Sequence, residues 1–260
     1  MDNNIKYPKT VRDDCNCNLC LKKVDRLSED HVPPKGWMAP RRVKIESYPE
    51  GSAEDIFRST TSHNGLKFKT LCSDCNNILG ARYDKALKNF TESITQVVQS
   101  PFNIYNSFSV ETQPALIVKA ILGHILAAKT GECSTSIDED IRRYVLGLDK
   151  KISSKIKVYY WYFPYDTVII SLDKIACDIL EGGHAHFSVL KYYPVAFLMM
   201  YESSMSDKSF CELTKYIRKD ECTKVRIPFR LNEIPATFPE SSKYSGCCLV
   251  PKDHTDLIAH

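Results

Sequence analysis

The sequence predicts an α+β protein in two parts, a small metal-stapled domain at residues 1–100 and a mixed α/β domain at residues 101–260. Three observations support this division. Two Cys-x-x-Cys pairs lie in the first hundred residues, a strongly apolar helical segment follows, and the rest contains aromatic and β-branched runs typical of strands. With 43% hydrophobic residues, the 260-residue chain has enough apolar side chains for a packed core.

The cysteine content favours metal binding over disulfides. The chain has 11 cysteines, an odd number, and its first residues lack an apolar signal-peptide core, so we expect reduced thiols and a cytoplasmic location. The net charge is only +3, so contact with nucleic acid would require a local basic patch. The most apolar run, residues 115–128, is short for a bilayer span and contains Lys119 and His124, so we expect no membrane partner.

The first candidate site is a structural zinc site. Each Cys-x-x-Cys turn brings two sulfurs close together, and two such turns supply the four ligands of a closed tetrahedral Zn²⁺ site. The predicted ligands are Cys17, Cys20, Cys72 and Cys75. Cys15 lacks this spacing, and we interpret it as a neighbouring thiol that does not bind the metal.

Polar residues that a structural zinc site does not need lie between and after the cysteine pairs. Asp30 and His31 precede two consecutive prolines, which cannot extend a strand ladder, so this pair is predicted at a strand end. Residues 66–71 alternate between apolar and polar, which predicts a half-buried strand. Helical spacing of apolar residues then predicts a helix from Asn76 to about residue 100.

Residues 35–64 are interpreted mainly as a connection inserted between the two halves of the metal site. The segment contains basic residues that could contact phosphates, and it is equally consistent with an ordinary solvated loop. The candidate substrate-binding residues are Lys35, Arg41, Arg42 and Lys44.

The second part of the chain is predicted to contain two helices followed by strands. Residues 114–129 form the apolar helix, and residues 137–148 form a helix with acidic residues in its first turn. The predicted strands are residues 155–165, 167–172 and 187–202. The proline-containing stretch 227–260 is expected to be extended or irregular.

Three features of this second part admit a functional interpretation, and in each case a structural one is favoured. His124 is more consistent with a hydrogen-bonded core histidine than with a metal ligand. His184 and His186 could form a metal pair, but no further ligand lies at a recognisable spacing. The aromatic run 159–163 could stack on bases, although alternating aromatic residues on a strand are more common in cores.

The order of the N-terminal motifs resembles that of the zinc-stapled HNH endonucleases. The resemblance rests on Asp30-His31-Val-Pro after the first cysteine pair and on Cys72-Ser-Asp-Cys75-Asn-Asn after the second strand. It implies a ββα-metal fold, in which a hairpin and a helix hold a catalytic divalent cation. It also implies an enzyme that hydrolyses phosphodiester bonds of DNA.

The resemblance assigns roles to matching residues. His31 would be the general base that takes a proton from the attacking water, since a neutral imidazole with a pKa of about 6.5 suits that role. Asp30 and Asn76 would hold a catalytic Mg²⁺ or Mn²⁺, with Asn77 and Asp84 as reserve candidates. The four thiolates and their zinc would clamp the hairpin to the helix.

The chain departs from the family pattern at one position. The family's middle asparagine, which orients the loop carrying the base, would be expected near Lys67, where this chain has no asparagine, and His63 or Asn64 would replace it after a local shift. On the resemblance, the first hypothesis is a DNA endonuclease whose residues 101–260 serve recognition, regulation by a protein partner or self-association. By analogy with similar fusions, it would act in bacterial defence or in a mobile element. The alternative is a non-catalytic zinc module that binds nucleic acid or protein.

Overall fold

The computed structural model describes the following residues: 9–34, 42–47, 60–63, 66–101, 106–178, 184–203, 210–217, 221–228, 234, 236, 247–250 and 257–259. The fold is a mixture of helices and antiparallel sheets, in agreement with the predicted α+β class. None of the helices in the described residues is long and apolar enough to span a membrane.

In chain order, the strands are β1 (Ser28–His31), β2 (Arg42–Ser47), β3 (Thr60–His63), β4 (Lys67–Leu71), β5 (Ser107–Thr112), β6 (Ile156–Tyr162), β7 (Val168–Asp178), β8 (His184–Tyr192), β9 (Val195–Tyr201), β10 (Cys211–Glu212), β11 (Thr223–Pro228), β12 (Cys247–Val250) and β13 (Leu257–Ala259). The helices are α1 (Ser73–Ile78), α2 (Lys85–Val98), α3 (Pro114–Ala128) and α4 (Ser136–Val145), with a π-helical turn (Leu79–Asp84) between α1 and α2 and a 3-10 turn at Thr214–Tyr216.

The N-terminal part is a hairpin followed by one long helical segment. Strands β1 and β4 pair antiparallel, with His31 opposite Lys67 and a bulge between Ser28 and Asp30. Helix α1 starts two residues after β4 and continues through the π-helical turn into α2. The predicted strand at 66–71 and the predicted helix from Asn76 are both confirmed, although the helix begins three residues earlier.

A large antiparallel sheet contains strands from both parts of the chain. Within the described residues its order is β10-β6-β9-β8-β7-β13-β2-β3, with β12 also pairing with β7. Residues 187–202, predicted as one strand, belong to two strands, because the chain turns at Tyr193-Pro194. Segments expected to be connecting or irregular also contribute strands: β2 and β3 lie within residues 35–64, and β12 and β13 lie within residues 227–260.

Both faces of the central strands are covered by apolar side chains. On β6, Tyr160 belongs to the main core with the helices, while its neighbours Tyr159 and Trp161 belong to a second apolar cluster on the other face. Phe90 of α2 packs against this sheet, with its ring centroid 6.2 Å from that of Tyr160 and 6.4 Å from that of Phe197. The aromatic run 159–163 is buried throughout, so it forms core and not a base-stacking surface.

The N-terminal part and helix α3 are joined by hydrogen bonds as well as by a shared core. The last carbonyls of a helix lack partners within the helix, and side chains of the N-terminal part supply them here. Asn18 Nδ2 donates to the carbonyl oxygens of Leu126 and Lys129, each at 2.7 Å. Thr70 Oγ1 donates to the carbonyl oxygen of Ala127 at 2.5 Å. The division at residue 100 stays a prediction, and the main apolar cluster contains residues from both sides of it.

Candidate functional site

Four cysteine side chains converge where the predicted zinc site was expected. The Sγ atoms of Cys17, Cys20, Cys72 and Cys75 all lie within 4.8 Å of one another. The Sγ atoms of Cys20 and Cys72 are 3.7 Å apart. Zn–S bonds of about 2.3 Å in a tetrahedron separate the sulfurs by about 3.8 Å. The four residues are therefore confirmed as a cluster that could hold a metal such as zinc.

Local backbone structure positions both cysteine pairs. In the first pair, the Leu21 N–H donates to the Cys17 carbonyl at 2.8 Å, and Leu21 adopts a positive φ of 61° that closes the turn. In the second pair, Cys72 is the N-cap residue of α1, and the Asn76 N–H donates to its carbonyl at 3.0 Å. Both sulfur pairs are thus presented by tight turns at fixed points of the fold.

Within the cluster, the proximity of the thiols and their burial shift the pKa values of Cys17, Cys20 and Cys75. The pKa of Cys17 is lowered to about 4, chiefly because its thiolate accepts a hydrogen bond from Cys75. That same bond, together with burial, raises the pKa of Cys75 far above its ordinary value, and burial raises the pKa of Cys20. A divalent cation bound to all four sulfurs would favour the thiolate form of each.

A cleft of about 460 Å³ opens between strand β1 and the long helical segment. Its lining includes the three residues predicted to be catalytic, Asp30, His31 and Asn76, and one reserve candidate, Asp84. Asn77, the other reserve candidate, is exposed and is not part of this lining. Two segments that are distant in sequence, one with Asp30 and His31 and the other with Asn76 and Asp84, are therefore brought to one concave surface.

Asn76 holds helix α1 against strand β1. Its Nδ2 atom donates to the Glu29 carbonyl oxygen at 2.9 Å and to Ser28 Oγ at 3.2 Å. Only its Oδ1 atom could bind a cation, since an amide nitrogen has no available lone pair. Asn76 thus fixes the separation between the two walls of the cleft.

His31 lies at the end of β1 and lines the cleft, with its Nε2 atom shielded from solvent. Opposite it, Lys67 occupies the position where the family's middle asparagine was expected, and its Nζ donates to Glu29 Oε2 at 3.3 Å. Of the two replacements considered, His63 lies on β3, and Asn64 falls outside the described residues.

The structure adds a residue from the second part of the chain, His124 on helix α3. Its ring is only 1% exposed, with Nδ1 at 3.2 Å from Asp30 Oδ2 and Nε2 at 2.8 Å from Asp84 Oδ1. Burial alone would lower the pKa of His124, but the carboxylates of Asp84 and Asp30 outweigh it and raise this pKa to about 10. Each ring nitrogen faces a carboxylate oxygen, an arrangement that favours the imidazolium, since only that form can donate from both nitrogens. His124 is the buried, hydrogen-bonded histidine that was expected, but its partners are residues of the cleft.

His124 reaches the cleft because α3 passes very close to the π-helical turn. A Cβ atom on Gly123 would lie 2.5 Å from Leu79 Cδ2, so only glycine fits there without a shift of that side chain. From the same turn, Tyr83 Oη donates to the Val145 carbonyl oxygen at 2.8 Å. The π-helical turn that carries Asp84 is thus packed directly against the second part.

Two lysines of α2, Lys85 and Lys88, also line the cleft and were not recognised in the sequence. A signal was present, because positions 76, 80, 84 and 88 recur every four residues, as side chains on one helical face do. Of the basic residues predicted to contact substrate, Arg42 and Lys44 lie on strand β2. The other two, Lys35 and Arg41, fall outside the described residues.

Comparisons of this chain with protein-family profiles, with curated proteins and with solved structures gave no match in any of the three. The interpretation of the site therefore rests on its residues and their geometry.

Proposed function

We propose that the cleft is the active site of a divalent-cation-dependent HNH-type endonuclease that hydrolyses phosphodiester bonds of DNA. The observation that carries the proposal is the convergence of Asp30, His31, Asn76 and Asp84 on one cleft. Carboxylate and amide oxygens are the ligands that Mg²⁺ and Mn²⁺ prefer, and an imidazole beside them is suited to general base catalysis.

The donor set suits such a cation. One oxygen of Asp30 and one oxygen of Asp84 accept hydrogen bonds from His124, which leaves the second oxygen of each carboxylate for a metal. Bound Mg²⁺ or Mn²⁺ would stabilise the negative charge that develops on the phosphate and on the leaving 3′ oxygen.

The remaining residues have distinct roles in this proposal. His31 takes a proton from the attacking water, and hydrolysis leaves 5′-phosphate and 3′-hydroxyl ends. Lys85 and Lys88 attract the DNA backbone at the helical wall of the cleft, where basic side chains can meet phosphates. Zinc at the four cysteines ties the hairpin to the start of α1 and takes no part in the chemistry.

The test is cleavage of supercoiled plasmid by zinc-loaded protein with and without added Mg²⁺ or Mn²⁺. We expect the wild type to produce nicked or linear DNA only when the cation is added. His31→Ala should reduce the rate by about 10²–10⁴-fold, the contribution typical of a general base. Zinc content is measured in both proteins, and His184→Ala serves as a control, because His184 is an exposed histidine outside the cleft.

Absence of cleavage by a fully zinc-loaded wild type that still binds DNA would overturn the proposal. That outcome would favour the alternative, a zinc module that binds nucleic acid without cutting it. Equal cleavage by wild type and His31→Ala would support the nuclease activity but show that His31 is not its general base.

A further inference from the structure

We infer that His124 is a positioning residue that holds Asp30 and Asp84 in the orientation needed to bind the cation, so that the site is assembled from both parts of the chain. The inference rests on the proposed function of the cleft and extends it. It assigns a role in the site to helix α3, which lies outside the N-terminal zinc-stapled module.

The geometry of the contact supports this role. Both ring nitrogens of His124 meet a carboxylate oxygen, at 3.2 Å for Asp30 and 2.8 Å for Asp84. The imidazole side chain is 1% exposed, and those of Asp30 and Asp84 are 7% and 19% exposed. Both carboxylates are therefore fixed in a largely dry environment at the edge of the cleft, where each is held through a single oxygen.

Two carboxylates that share a buried site repel each other, so each would otherwise turn away from the other. A histidine that donates to both removes this tendency and restricts the rotation of each side chain. Hydrogen-bond partners of metal ligands commonly change metal affinity by 10- to 100-fold when they are removed. His124 is placed to exert such an effect on two ligands at once.

The position of His124 is itself fixed relative to the zinc-stapled hairpin. Gly123 allows α3 to contact Leu79 of the π-helical turn, and Asn18 and Thr70 bind the carbonyls at the C-terminal end of α3. A displacement of α3 would therefore move the imidazole away from both aspartates. Residues 1–100 alone would carry the predicted catalytic residues without the group that orients them.

The test compares full-length, zinc-loaded His124→Asn and His124→Gln with the wild type. An asparagine amide nitrogen lies close to the position of Nδ1 and can still donate to Asp30. A glutamine amide nitrogen lies close to the position of Nε2 and can still donate to Asp84. Each variant keeps one of the two hydrogen bonds, so both retain a buried donor and are expected to fold. Ile125→Ala is the control, because Ile125 is a fully buried neighbour on α3 that contributes only apolar packing.

The primary measurement is Mn²⁺ affinity, determined by electron paramagnetic resonance of the free ion at constant zinc content. We expect both histidine variants to bind Mn²⁺ about 10- to 100-fold more weakly than the wild type. We expect Ile125→Ala to lose thermal stability while it retains wild-type Mn²⁺ affinity. In plasmid cleavage, the histidine variants should need more Mn²⁺ for half-maximal rate and recover most of their rate at saturating Mn²⁺.

The outcomes separate this inference from the proposed function. Wild-type Mn²⁺ affinity in both histidine variants would overturn the positioning role and leave the cleft as a metal site. A loss of affinity in Ile125→Ala as large as in the histidine variants would also overturn it, since general destabilisation would then explain the effect. Absence of Mn²⁺ binding by the wild type would overturn the proposed function and, with it, this inference.

Discussion

The stability of the protein should depend on pH through His124, and the sign of that dependence follows from the structure. Burial opposes protonation of the ring, but Asp84 and Asp30 outweigh it and raise the pKa of His124 from 6.5 to about 10. Because the folded state binds this proton more tightly than the unfolded state, the stabilisation is complete below about pH 6.5 and is lost as the pH rises to about 10. A pKa rise of that size corresponds to at most about 5 kcal/mol of added stability of the folded state.

The measurement is the free energy of unfolding in urea at fixed pH values between 6 and about 10.5. Wild type and His124→Gln are compared at each pH with zinc content held equal. Zinc binding to the thiols also changes with pH, but it does so in both proteins, so the difference between them isolates the histidine. We expect the advantage of the wild type to shrink by a few kcal/mol across this range.

Parallel stability curves for the two proteins would refute this reasoning. They would mean that His124 binds no additional proton on folding, and therefore that it is not an imidazolium between two carboxylates. A wild-type advantage that grew with pH would contradict the predicted sign.

Three further predictions concern the zinc site, the cleft and the packing of α3. Cys72→Ser should lose bound zinc and the order of the hairpin, while Cys15→Ser should keep both. Zinc content and circular dichroism measure these effects, and full zinc in Cys72→Ser would contradict the four-cysteine site. Lys88→Gln should weaken DNA binding and reduce its salt dependence by about one phosphate contact. Lys150→Gln, which changes an exposed lysine outside the cleft, should do neither. Equal salt slopes for the two variants would exclude the cleft as the DNA surface. Gly123→Val should cost about 1–3 kcal/mol in urea unfolding, because its side chain would collide with a leucine of the π-helical turn; an unchanged midpoint would contradict the close contact.

The parts of the site that could be predicted from sequence depend on short spacings. Two residues separate the cysteines of each pair, so the backbone turn alone sets the distance between their sulfurs. The adjacency of Asp30 and His31 before two prolines likewise placed them together at the end of β1. The apolar patterns of β4 and α2 predicted these elements closely because one periodic face of each is buried. Helix α3 was predicted from its continuous apolar run, and it is buried on nearly all sides.

The part that could not be predicted depends on contacts between distant segments. His124 lies 94 residues from Asp30 and 40 residues from Asp84 in the sequence, so no local pattern links the three. The indication that existed was chemical, because a histidine within an otherwise apolar buried helix must find hydrogen-bond partners. Its partners become known only when α3 is packed against the π-helical turn, and that packing depends on the absence of a side chain at Gly123.

The predicted strand boundaries were wrong for a local reason that strand propensity does not capture. Residues 187–202 are mostly apolar or aromatic on both sides of Pro194, so Pro194 is the one residue that signals the end of β8. The turn at Tyr193-Pro194 divides them, since proline cannot donate to a sheet ladder. Strands β2 and β3 were missed because their polar composition is also that of a surface loop.

The most direct test of a cation-dependent active site in this cleft is anomalous X-ray diffraction from crystals of the zinc-loaded protein soaked in Mn²⁺. We predict a manganese peak in the cleft, with oxygens of Asp30 and of Asp84 or Asn76 at about 2.0–2.6 Å, and a separate zinc peak at the four cysteines. Anomalous density at the cysteines alone, with none in the cleft at saturating Mn²⁺, would contradict the proposed active site.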